Sequence, residues 1–99
     1  MTLAVANEIM RQLGDHRFLA MTGAKNLLAG PDSLSMKIGS NDKKVTHVRI
    51  VLTPADTYRV EFLSIRGTQP WKTLNVAEDV YAEDLQRIFT EYTGLDTRL

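Results

Sequence analysis

Val45-Thr46-His47-Val48-Arg49-Ile50-Val51-Leu52-Thr53, then Pro54-Ala55-Asp56, then Thr57-Tyr58-Arg59-Val60-Glu61-Phe62-Leu63-Ser64-Ile65-Arg66, is the stretch that decides the fold. In the first arm Val48, Ile50 and Leu52 alternate with His47, Arg49 and Val51. In the second, Tyr58, Val60 and Phe62 alternate with Arg59, Glu61, Leu63 and Ile65. A period of two is the signature of half-buried strands. The side chains are the β-branched and aromatic types that pleated surfaces favour. The link is too short for a crossover, so the spacing predicts an antiparallel hairpin over 45–53 and 57–66. Its first-named set on each arm faces a core.

On the N-terminal side, Leu34, Met36 and Ile38 alternate with Ser33, Ser35 and Lys37, which predicts another half-buried strand. Gly30-Pro31-Asp32-Ser33 is a tight turn that joins it to Asn26–Ala29. Gly39–Lys44 is a polar loop. Arg17–Thr22 is short and apolar and ends at Gly23; its length favours a strand, with one helical turn as the alternative. On the C-terminal side, Gly67–Pro70 is a turn and Trp71–Val76 adds a strand.

Both ends of the chain carry helical periodicity. Val5, Ile9 and Leu13 recur at i, i+4, i+8, so a helix is expected over 3–13, with Thr2 as cap and Gly14 after its end. Tyr81, Leu85, Ile88, Phe89 and Tyr92 form a second stripe, started by Asp79 and stopped by Gly94. The order α-β-β-β-β-β-α with short links predicts one α+β domain over 1–99. In it an antiparallel sheet of about four to five strands carries an N-terminal and a C-terminal helix on one face. The other sheet face stays open to water.

The 99 residues leave no length for a second core, and 43% apolar with 24% charged residues is ordinary globular usage. There is no cysteine, which removes disulfides, thiolate metal sites and thiol nucleophiles. No basic-then-apolar leader and no run of ~20 apolar residues marks a targeting or membrane segment, so a cytoplasmic setting is expected. No serine sits in a Gly-x-Ser-x-Gly elbow, and His16 and His47 lack partners at catalytic spacing. The expectation is therefore a protein that is not an enzyme. The two histidines make no zinc spacing, and Asp79 with Glu83 at i, i+4 reads as a solvated helix start rather than a cation site. Met21–Asn26 lacks the Gly-Lys-Ser/Thr end of a phosphate loop. No cofactor is expected.

Charge is segregated. Twelve basic residues balance twelve acidic ones over the whole chain, yet residues 35–75 carry a net +4 and residues 76–99 a net −4. The expected open face therefore bears Lys37, His47, Arg49, Arg59 and Lys72 as a candidate binding face. Leu63 and Ile65, beside Arg59 and Glu61, form a candidate apolar contact patch. Cross-strand ion pairing of Arg59 and Glu61 with their neighbours is the bland alternative. A protein partner is the preferred expectation. Nucleic acid on the basic face is the alternative, with Trp71 as its one aromatic platform, and a homo-oligomer suits the same features.

Arg17-Phe18-Leu19-Ala20-Met21-Thr22-Gly23-Ala24-Lys25-Asn26, His47-Val48-Arg49-Ile50, Asp56-Thr57-Tyr58-Arg59-Val60-Glu61-Phe62, Ile65-Arg66-Gly67, Asp79-Val80-Tyr81-Ala82-Glu83-Asp84-Leu85, and Phe89 with Thr93-Gly94-Leu95, resemble a family of small uncharacterised proteins of bacteriophages, prophages and other mobile elements. The resemblance runs from residue 17 to 95. It implies a small accessory protein that acts by binding a host or phage protein or nucleic acid. It assigns no catalytic residue.

Overall fold

The computed structural model describes residues 4–65 and 71–97. It is an α+β domain in which a five-stranded antiparallel open sheet, ordered β1-β2-β3-β4-β5, is contacted by N-terminal helices and a C-terminal helix. The strands are β1 (Lys25–Ala29), β2 (Ser33–Lys37), β3 (His47–Leu52), β4 (Tyr58–Ser64) and β5 (Lys72–Val80). The helices are α1 (Ala4–Leu13), α2 (Asp15–Thr22) and α3 (Leu85–Thr93), the last entered through a short 3₁₀ turn, Ala82–Asp84.

The decisive hairpin forms with the expected facing, over His47–Leu52 and Tyr58–Ser64. Val48 pairs with Phe62, Arg49 with Glu61, Ile50 with Val60 and Leu52 with Tyr58. The turn closes with the Thr53 and Thr57 backbones at 2.9 Å, and Asp56 takes a left-handed φ of 65° there. On the other side of β3, Met36 pairs with Val48 and Leu34 with Ile50. The core face is thus built in cross-strand rows, Met36–Val48–Phe62 and Leu34–Ile50–Val60–Ala77. Each of these side chains is buried, whereas Leu52 at the strand end is only half-buried.

Helices cover that face. α1 sets Ala6, Ile9 and Leu13 into the core, and α3 sets Leu85, Phe89 and Thr93 there. Ile88 and Tyr92 are half-buried at its margin, Tyr92 stacking on Phe62 with ring centroids 5.0 Å apart. The Thr2 cap expected for α1 lies outside the described residues, as does the Gly67–Pro70 turn.

Four expectations need correction. Residues 17–22 are helical, not a strand. Phe18 and Thr22, one turn apart, are both buried while Arg17 and Ala20 are exposed. Thr22 Oγ1 donates to the Phe18 carbonyl at 2.7 Å, and Gly23, at φ 67°, closes the helix by donating its N–H to Leu19 O. The period is that of a helix, and the short apolar run hid it. β5 runs on to Val80 instead of stopping at Val76, because Ala77 and Val80 both reach the core across a bulge. Asp79 therefore lies within β5 at φ 55° and caps nothing. Tyr81 is exposed and does not belong to the buried stripe.

Candidate functional site

Opposite the helices the same registers build three rows on the uncovered face. Leu28, Ser35, Arg49, Glu61 and Val76 stand side by side across all five strands. Lys25, Lys37, His47, Leu63 and Thr73 form the row beside it, and Ser33, Val51 and Arg59 form the row on its other flank. The sheet thus brings Lys37, His47, Arg49 and Arg59 onto one face.

Lys72 does not join them. It pairs with Ser64, one residue beyond Leu63, so its register position is on the other face. The apolar patch also differs from expectation. Leu63 is buried, with 7% exposure, and Ile65 is half-buried. Thr46 ties this strand end down: its N–H and hydroxyl reach Leu63 O, and Ile65 N–H donates to its Oγ1 at 2.8 Å. The exposed apolar groups of the face are instead Leu28, at 70%, and Val76, at 38%, on the two outer strands.

The arginines are matched internally. Arg49 Nη1 lies 3.4 Å from Glu61 Oε1, Arg59 Nε 3.2 Å from Glu61 Oε2, and Arg59 Nη1 3.5 Å from Glu78 Oε1. Both guanidiniums are nearly half exposed, so each pair contributes only ~0–1 kcal/mol. The ladder cancels charge at the centre of the face rather than stabilising the fold.

His47 sits in a half-buried position, its Nδ1 2.8 Å from Thr46 Oγ1. Burial, and then the Lys37 ammonium across the strand pair, push its pKa below the ordinary histidine value. No carboxylate contacts His47 among the described residues, so nothing orients it as a base.

Charge is divided by the ends of the sheet, not by sheet against helix. β1, β3 and β5 begin, and β2 and β4 finish, at one end. That end holds Lys25, Lys37, Lys72 and, on the β2–β3 loop, Lys43 and Lys44. The opposite end, where the hairpin turns and the 3₁₀ turn lie, holds Asp32, Asp56, Glu78, Asp79, Glu83 and Asp84. Linear counting missed this, because residues far apart in sequence meet at strand ends. Asp79 and Glu83 are no longer one helical turn apart, one being in β5 and the other in the 3₁₀ turn.

A groove of about 1000 Å³ runs between α1 and α3, lined by Arg11, Gln12, Gln86, Arg87, Glu91 and Thr97 among others. Its guanidiniums are already paired, Arg11 with Glu8 and Arg87 with Asp84 and Glu91. No group of three metal-ligating side chains occurs among the described residues, and no helix there is long and apolar enough to cross a membrane. Comparison of the chain with protein-family models, curated proteins and solved structures finds no match.

Proposed function

We propose that this chain is a small non-enzymatic binding protein that docks a protein partner on the open face of its sheet. The observation that carries the reading is the central row, in which exposed Leu28 and Val76 flank the ion-paired Arg49–Glu61–Arg59 ladder. Apolar anchors around a locally neutral, arginine-containing centre suit a protein surface of mixed charge. They suit a phosphate backbone less well, because Glu61 and Glu78 already occupy the guanidiniums. The nucleic-acid reading of these arginines therefore loses support.

The two sheet edges favour the face over edge pairing. β1 is short and bulged with Asn26 at φ 55°, and β5 has register shifts near both ends. Such features blunt an edge against a second strand. A phage or mobile-element accessory role in the cytoplasm, acting on a host or phage protein, extends the resemblance noted above.

The test compares the parent with Leu28→Asp/Val76→Asp in capture from host lysate, followed by measured affinity for whatever the parent alone retains. Loss of that partner with an unchanged melting temperature supports the reading. Equal capture by both proteins overturns it. A dimer of the parent in light scattering that the double variant abolishes assigns the face to a second copy of the chain instead.

A further inference from the structure

All five lysines of the chain, Lys25, Lys37, Lys43, Lys44 and Lys72, stand at one end of the sheet. Lys25, Lys37 and His47 are in register across β1, β2 and β3. Neighbouring strands lie ~4.8 Å apart, so this row spans about 10 Å. Asp42 is the one acidic residue of the strand ends and loop there, among the described residues. None of the five lysines makes an ion pair among the described residues, whereas Arg11, Arg49, Arg59 and Arg87 all do.

The loop that holds Lys43 and Lys44 is braced. Asn41 Nδ2 donates to Gly39 O at 2.9 Å and Val45 O at 2.7 Å, and Asn41 Oδ1 accepts the Val45 N–H at 3.1 Å. Lys44 takes a left-handed φ of 62°, where glycine or asparagine sits at lower cost. Trp71, the only tryptophan, immediately precedes β5 at the same end and is 70% exposed.

We propose that this end of the sheet is a contact surface for single-stranded nucleic acid, with the lysines on phosphates and Trp71 stacking on a base. Unpaired ammonium groups follow a flexible phosphate chain without fixing its geometry, and a bare indole takes any base on its π-face. An acidic protein would use the same lysines, and a comparison with polyglutamate separates it from a nucleic acid. Lys43, Lys44, Lys72 and Trp71 lie outside the rows of the protein-docking face, so variants at these positions test this reading separately.

The experiment titrates the full chain into a labelled oligothymidylate of about 15 nucleotides, long enough for the ~4–16 that small sheet modules cover. Anisotropy reports binding, and Trp71 emission reports stacking. Binding with quenching at low salt, weakening as salt rises, is the expected result. Lys43→Ala with Lys44→Asn, the asparagine chosen for the left-handed backbone, should reduce the log–log salt slope by about 1.4. Trp71→Ala should weaken binding about 5- to 150-fold. Unaltered melting curves show that each variant is folded. Absence of binding at low salt, an unchanged slope in the lysine variant, or equal affinity for polyglutamate or for a duplex of the same length would overturn the proposal.

Discussion

Gly39 donates its backbone N–H to the carbonyl of Thr22 at 2.8 Å, and this bond fastens the end of α2 to the loop that carries Lys43 and Lys44. A Cβ at position 39 would lie 2.9 Å from that same oxygen. The obstacle is backbone, so it cannot rotate away. Gly39→Ala should therefore destabilise the domain by ~1–3 kcal/mol, as overpacking does elsewhere. Gly30 is the matched control. A Cβ there meets the Ser33 hydroxyl at 2.5 Å, the end of a side chain that can take another rotamer. Urea melts should show the larger loss for Gly39→Ala, and equal losses would refute this account of the contact.

Phe89 is 1% exposed, and Phe18 meets it edge-on with ring centroids 5.0 Å apart and planes at 72°. The pair joins α3 to α2 beneath the sheet. Phe89→Ala should cost ~3–5 kcal/mol, a large share of the ~5–15 kcal/mol expected for such a domain. Half-buried Ile88 should lose less on truncation. The same denaturant melts decide it, and a loss below ~1 kcal/mol would mean that α3 is not packed as described.

The β2–β3–β4 core was legible because strict alternation leaves one register that buries Met36, Val48, Ile50, Val60 and Phe62 together. α2 was not, because eight residues hold only two full turns, and Phe18 and Thr22 alone carry its buried side. A threonine that bonds its own helix carbonyl contributes to that side without adding to an apolar count. The length of β5 was hidden by its bulge at Glu78 and Asp79, which breaks alternation just where the strand continues. At the candidate face, alternation identified Arg49, Arg59, His47 and Lys37 but gave no sign that Glu61 and Glu78 occupy the two arginines. Leu28 was missed because Asn26–Ala29 contains a bulge and shows no period.

The Arg49–Glu61–Arg59–Glu78 ladder should matter little to stability. Arg49→Ser with Arg59→Ser should shift unfolding free energy by about 1 kcal/mol or less, because both guanidiniums are 46–47% exposed. Glu61 is the more sensitive member, with only 18% of its side chain exposed. A double-mutant cycle between Arg59→Ser and Glu61→Gln should return a coupling of ~0.2–1 kcal/mol that shrinks in high salt. A coupling above ~2 kcal/mol would show that the ladder holds the sheet together rather than neutralising its face.

His47 should make stability depend on pH in one direction. Its folded pKa lies below the ordinary value of 6.5, first because the ring is half-buried and then because Lys37 stands across the strand pair. The groups that face it are the Lys37 ammonium on β2, the Thr46 hydroxyl on its own strand end, and the apolar Leu63 on β4. None of these favours an imidazolium. Below 6.5 the unfolded chain takes up the His47 proton more readily than the folded one. Stability from this group is thus fully present above 6.5 and is lost as pH falls through the lower folded value. Melts of the parent and of His47→Gln at a series of pH values should diverge on that acid side, the parent losing more. Lys37→Gln should reduce the divergence without abolishing it, since burial is the larger cause. Parallel profiles for parent and His47→Gln would refute the assignment.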